Sequence, residues 1–131
     1  MKDKFRILIA DRNPNIREFL RREMSAAGYH PCLAKDGQEI LRKIEEEKPI
    51  DLLIVDLDLP GIKESAILAK IERKRPTMPV IIHTFLFDYT DVQQGILRHA
   101  AVVEKDANSI DRLKNTVSEL LSKSSSNRER R

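Results

Sequence analysis

Asp11, Asp56, Asp58, Thr84 and Lys105 share one placement: each stands at or just past the end of a short apolar run. Carboxylates so placed could hold a divalent cation or act as nucleophiles, an ammonium could offset negative charge, and a hydroxyl could donate a hydrogen bond. Taken singly, each has a plainer reading: Asp11 as a turn former, Thr84 as a strand residue, Lys105 as a solvated charge. His30, His83 and His99 show no ligand spacing, so they give no reason to expect a zinc-type site. The single cysteine, Cys32, excludes an intrachain disulfide and suits a reducing compartment. It reads as a small residue at or near the core.

The elements that must position these residues alternate along the chain. Phe5 to Ala10 is a short run rich in Ile and Leu, closed by Asp11, Arg12, Asn13 and Pro14, which suits a strand buried on both faces. Asn13 reads as an N-cap with Pro14 at the first helical position. Ile16, Phe19, Leu20 and Met24 then recur at helical spacing until Gly28. His30 to Ala34 predicts a weaker second strand, and Asp36 and Gly37 open a helix through Ile40, Leu41 and Ile44 that ends before Pro49. Leu52 to Val55 is the best buried strand, followed by Asp56 and the loop Leu59, Pro60, Gly61. A helix over about 64–75, a strand from Pro79 to Thr84, a helix over about 90–99 with Val92, Ile96 and Leu97, a strand over 100–104 and a helix over 109–122 complete the pattern.

Helical patterns alternating with buried strands predict an α/β fold: a parallel sheet covered on both sides by helices. Right-handed crossovers leave few topologies, and the doubly wound five-stranded order 2-1-3-4-5, a flavodoxin-like three-layer sandwich, is expected. In that order the carboxyl ends of strands one, three, four and five bring Asp11, Asp56, Thr84 and Lys105 to one patch, where such folds place their chemistry.

The same residues carry a family resemblance. Ile7-Leu8-Ile9-Ala10-Asp11, then Leu53-Ile54-Val55-Asp56-Leu57-Asp58-Leu59-Pro60-Gly61, then Pro79-Val80-Ile81-Ile82-His83-Thr84, and last Val102-Val103-Glu104-Lys105 resemble the four motifs of the receiver domain of bacterial response regulators. No single motif is specific; four in register over roughly residues 5–122 are. The resemblance implies a two-component signalling module rather than an enzyme. By it, Asp56 is the phospho-acceptor, and Thr84 and Lys105 contact the phosphoryl oxygens. Mg²⁺ is held by Asp11, Asp56 and the backbone carbonyl of Asp58. The implied partners are a sensor histidine kinase or phosphotransfer protein and a downstream protein target. The contact face, which could also serve a homodimer, is built from the helix over 90–99, the strand over 100–104 and the last helix.

Several positions depart from that family's pattern. Arg12 stands where a second acid normally binds the metal, and a cation there weakens Mg²⁺ binding by repulsion. Its guanidinium could instead reach Asp11 or Asp56 and stand in for the metal's charge. Phe85 follows Thr84 where a small residue is usual, a bulk expected to restrict access to the acceptor or fill the switch pocket. Val102 occupies the position of the usual switch aromatic. Lys63 and Glu64 follow Pro60-Gly61 in place of the usual residues, and Asp106 follows Lys105 where Pro is common.

Composition narrows the alternatives. The 131 residues fit one domain, read as 1–122 with a disordered polar and basic tail over 123–131. The formal net charge is +3, much of it from Arg128, Glu129, Arg130 and Arg131, so the body is close to neutral and shows no basic face for nucleic acid. No apolar run approaches the roughly 18 residues of a membrane helix, and the run from Phe5 is too short for a signal peptide, so a cytoplasmic protein is expected. A receiver-like interaction module that works without phosphorylation, with Arg12 replacing a metal-binding acid, is the competing reading. Asp56-Leu57-Asp58 also resembles the paired aspartates of haloacid-dehalogenase-type phosphatases, although that motif normally ends the first strand of its core. A flavin site is disfavoured because Asp11-Arg12-Asn13-Pro14 is not a hydroxyl- and glycine-rich phosphate loop.

Overall fold

The computed structural model describes residues 4–46, 48–62, 66–85 and 100–129. Five strands, β1 (Arg6–Ala10), β2 (His30–Ala34), β3 (Leu52–Val55), β4 (Val80–Thr84) and β5 (Ala101–Glu104), form one sheet in the order β2-β1-β3-β4-β5. Every neighbouring pair is parallel. This is the expected doubly wound topology, and the reason is visible in the strands: every residue of β3 and β4 is buried, as two-sided coverage demands.

Strand alternation divides the core. Leu8, Ala10, Leu53, Val55, Val80 and Ile82 face α2 (Gly37–Ile44) and α3 (Ile67–Lys74), meeting Ile40, Ile44, Ile67 and Ile71. Ile7, Ile9, Leu52, Ile54, Ile81 and Val103 face α1 (Pro14–Ala26) and α4 (Ser109–Glu129), meeting Leu20, Met24, Leu113, Val117 and Leu121. A period of two in the strands against 3.6 in the helices makes each face continuous.

Two junctions set the loops that carry the chemistry. The Asn13 carboxamide accepts from the backbone N–H groups of Asn15 at 2.9 Å and Ile16 at 3.3 Å, capping α1 directly after Asp11. At the start of α2, Gly37 donates its N–H to the Pro60 carbonyl at 2.9 Å. A Cβ there would stand 3.2 Å from the Gly61 carbonyl oxygen, so any side chain would push the loop after Asp56 back from the helix by a few tenths of an ångström.

Some boundaries differ from the sequence reading. Among the described residues α3 begins at Ile67, after Ala66, whose backbone is left-handed (φ 54°). The last helix does not stop at Ser122 but continues to Glu129 through the segment read as a disordered tail. That stretch holds neither Pro nor Gly to end a helix. The helix expected over 90–99 lies outside the described residues, as do Lys63, Glu64 and His99, and with that helix a third of the expected contact face. Among the described residues, no helix is long and apolar enough to cross a membrane.

Replacing Asn13 by Ala removes the α1 cap and should cost about 1 kcal/mol of stability, with Asn13→Ser close to wild type. Urea midpoints at constant m-value test this; equal midpoints for Ala and Ser would show that the cap contributes nothing.

Candidate functional site

The sheet register builds the site one step beyond the strand ends. Ala10 pairs with Val55 and Val55 with Ile82, and the Asp56 N–H extends the ladder by donating to the Ala10 carbonyl at 2.9 Å. The next row is therefore Asp11, Asp56 and His83, on the face shared by Ile9, Ile54 and Ile81 and covered by α1 and α4. At the sheet edge the Lys105 N–H donates to the Thr84 carbonyl at 2.8 Å. Alternation past Val103 sends the Lys105 side chain to the same face.

There the charges meet. Lys105 Nζ lies 2.8 Å from Asp11 Oδ2 and 2.9 Å from Asp56 Oδ2. Asp11, Asp56, Thr84 and Lys105 are all buried. The other carboxylate oxygens are held by backbone: Asn13 N–H donates to Asp11 Oδ1 at 2.9 Å and Asp58 N–H to Asp56 Oδ1 at 3.0 Å. Thr84 Oγ1 reaches Asp56 Oδ1 at 3.5 Å, the outer limit of a hydrogen bond. Arg17 Nη1 donates to the Asp11 carbonyl at 2.7 Å and fixes the turn from the helix side. Burial raises the Asp11 carboxyl above its usual range, against the opposing pull of Lys105 and the Asn13 N–H.

Comparison with known proteins places this arrangement. The model of the response regulator receiver domain matches residues 7–118. The chain belongs to the response regulator receiver domain family. Response regulator RR06 of Streptococcus pneumoniae is 39% identical over 88 residues, covering 67% of this chain and 40% of the relative. The transcriptional regulatory protein GlrR of Escherichia coli is 33% identical over 106 residues, covering 77% of this chain and 24% of the relative. The chain thus spans well under half the length of these curated relatives. Among solved structures, the response regulator TrrA of Thermotoga maritima, in complex with Mg²⁺-BeF, superposes with a TM-score of 0.74 at 34% identity, covering 88% of this chain and 98% of TrrA. TrrA has also been solved in complex with the histidine kinase ThkA, and that copy superposes with a TM-score of 0.71 over 89% of this chain and 98% of TrrA.

In this receiver domain the sequence-predicted residues separate into two groups. Asp11, Asp56, Thr84 and Lys105 converge, and Asp58 joins them through its backbone N–H. Arg12 does not: it is exposed, and among the described residues no ion pair joins it to Asp11 or Asp56. The cation between the carboxylates is Lys105, because the alternation that turns Asp11 inward turns Arg12 outward. Phe85 is 51% exposed, with its ring under the Lys105 ammonium, 5.7 Å from Nζ to the centroid. Val102, 41% exposed, lies one residue out of step with Val103 and Lys105, on the opposite face. Among the described residues no three His, Cys, Asp or Glu side chains gather as a metal-ligating group.

One neighbour escaped the sequence reading. His83 is buried beside the site, with Nε2 3.2 Å from Ser109 Oγ. Among the described residues its Nδ1 has no hydrogen-bond partner. The signal was present in the strand pattern, since His83 shares a face with Ile81. Burial, helped by Lys105, lowers its pKa from 6.5 to about 4. Between those values the unfolded chain binds more protons, so stability falls as pH drops through the window, by at most about 3 kcal/mol. Asp11, with its pKa raised, works in the opposite sense at acid pH. His83→Gln should therefore flatten the decline in urea midpoint between neutral pH and pH 4; an unchanged slope would show that His83 is not its source.

Proposed function

We propose that this receiver domain accepts a phosphoryl group on Asp56 from a phosphohistidine of a histidine kinase or phosphotransfer protein, and signals through contact with a downstream protein in the cytoplasm. The observation that carries this reading is the Lys105 ammonium shared between Asp56 and Asp11 at 2.9 and 2.8 Å. A buried carboxylate at a sheet end, held by an ammonium and facing a hydroxyl, has the parts for nucleophilic attack on phosphorus and for neutralising the product.

In the proposed reaction an Asp56 carboxylate oxygen forms the bond to phosphorus while the donor's P–N bond breaks, its electron pair staying with the imidazole nitrogen. Asp58 N–H orients the carboxylate through Oδ1. Lys105 and Thr84 turn from Asp56 to the arriving phosphoryl oxygens. Asp11 stays behind as the anion that holds Lys105 at the site. The two side-chain carboxylates also fit a Mg²⁺ ion, which one or two carboxylates with waters suffice to hold. Both carboxylates already lie 2.9 Å or less from one cation, the Lys105 ammonium, so they are close enough to share another. Asp11, Asp56 and the Asp58 carbonyl would hold the ion, which when bound supplies charge against the phosphoryl oxygens. Arg12, next to Asp11, weakens that binding by repulsion. We take 1–122 as the domain, since Leu121 is the last core side chain among the described residues of α4, and 123–131 as a segment outside it.

Arg12 also favours a second reading, a receiver that signals without phosphorylation. One experiment separates the two. Intact mass is read after incubation with a small-molecule phosphodonor and then with a histidine kinase, each with and without Mg²⁺, using Asp56→Asn as control. The expected outcome is a single phosphate adduct that requires Asp56 and is enhanced by Mg²⁺. An adduct that survives in Asp56→Asn, or none from either donor, would overturn the phosphorylation reading.

A further inference from the structure

An ammonium has three N–H donors. In Lys105 two of its directions are taken by Asp11 Oδ2 and Asp56 Oδ2, and the face of Phe85 lies against it 5.7 Å away. The pairing follows from the sheet. β4 lies between β3 and β5, so the Lys105 stem must cross the end of β4 to reach Asp56. Phe85 is the residue just past the end of β4, on the face that stem crosses.

Phe85 thus stands on the remaining side of the ammonium, with its ring centroid 5.7 Å from Nζ. The ring itself is 51% exposed, whereas Lys105 is 8% exposed. Both border a cavity of about 350 Å³ that is open to solvent and also lined by Ile16, Phe19 and Ile110. A half-exposed phenylalanine gains little from burial; what it contributes here is an electron-rich face for a buried cation.

We propose that Phe85 is a positioning residue that prolongs the life of the acyl phosphate on Asp56, by holding Lys105 against the site and denying water a berth on its ammonium. The proposal rests on the phosphorylation reading above. The reaction it slows is hydrolysis. A water oxygen forms a bond to phosphorus, the bond between phosphorus and the Asp56 oxygen breaks, and the carboxylate leaves with the electron pair. Both water protons stay with the products, as carboxylate and dihydrogen phosphate. A water hydrogen-bonded to Lys105 would sit beside that phosphorus; the ring excludes it.

Two variants test the idea. Phe85→Leu keeps apolar bulk and removes the ring, and Phe85→Tyr keeps the ring. Each protein is loaded with a small-molecule phosphodonor, freed of donor, and followed by intact mass. The phosphate should be lost about two- to thirtyfold faster from Phe85→Leu, the range of one cation–π contact, and at the wild-type rate from Phe85→Tyr. In the unphosphorylated proteins, NMR should show ring-current-shifted Lys105 ε-methylene protons in wild type and Phe85→Tyr, and unshifted ones in Phe85→Leu. Equal phosphate lifetimes in wild type and Phe85→Leu, or unshifted Lys105 protons in wild type, overturn the proposal. If wild type takes up no phosphate from the small-molecule donor, a histidine kinase is used to load it; if that fails as well while its Lys105 protons are shifted, the ring–ammonium pair stands but the phosphorylation reading falls, and the role proposed for Phe85 falls with it.

Discussion

Two carboxylates buried side by side at the end of a parallel sheet need a cation between them, and Lys105 supplies it to Asp11 and Asp56 together. The rest of the fold serves that contact. β1 and β3 must be neighbours for the two acids to meet. β5 must lie two strands from β3, a separation of roughly 10 Å that the Lys105 and Asp56 side chains and the 2.9 Å contact between them close together. The order β2-β1-β3-β4-β5 satisfies both demands. The backbone supplies what the lysine leaves: N–H groups of Asn13 and Asp58 hold the remaining carboxylate oxygens, so both acids are fixed from two sides.

Much of this was legible in the sequence because each position does two things at once. The runs Leu52 to Val55 and Val80 to Ile82 are apolar without alternation, which marks strands covered on both faces. Asp56, which breaks the first, and Thr84, which closes β4 one residue after His83 breaks the second, are also those at the sheet end. Asn13 and Pro14 announced the start of α1 through cap chemistry that is local and independent of packing. What a linear pattern does not hold is which way a side chain turns just past a strand. A shift of one residue decides it, and that is set by pairing with strands far away in sequence. Arg12 illustrates this: its charge suggested a replacement for the metal, but its place in the row faces solvent. His83 illustrates the converse, a polar residue inside an apolar run that burial keeps neutral near pH 7.

Helix ends were read less well for a related reason. α1 stops near Gly28, whose backbone takes φ 95°, a conformation glycine adopts freely. After Ser122 there is no such residue, and apolar periodicity alone does not report where an exposed helix ends. Periodicity records where a helix touches the core, and among the described residues of α4 the last such contact is Leu121. The helix and its described core contacts therefore end at different places, and only the second is written in the hydrophobic pattern.

The two departures around β4 and β5 are of opposite kind. Val102 leaves the α2–α3 side of β5 with a small aliphatic side chain, and Phe85 puts an aromatic ring on the α1–α4 side. Thr84 and Lys105 approach Asp56 from adjacent strand ends, but their side chains start from opposite faces of the sheet. Of these two groups, the ring supports only the lysine. Charge in this site is therefore governed from the α1–α4 side, where Asp11, Asp56, Lys105, His83 and Phe85 lie together. His83, kept neutral by the same burial that raises Asp11, adds no cation to compete with Lys105 near pH 7. A single buried ammonium flanked by two carboxylates, a neutral imidazole and an aromatic face has no nearby substitute among these groups, which makes its position the variable on which the charge balance at Asp56 turns.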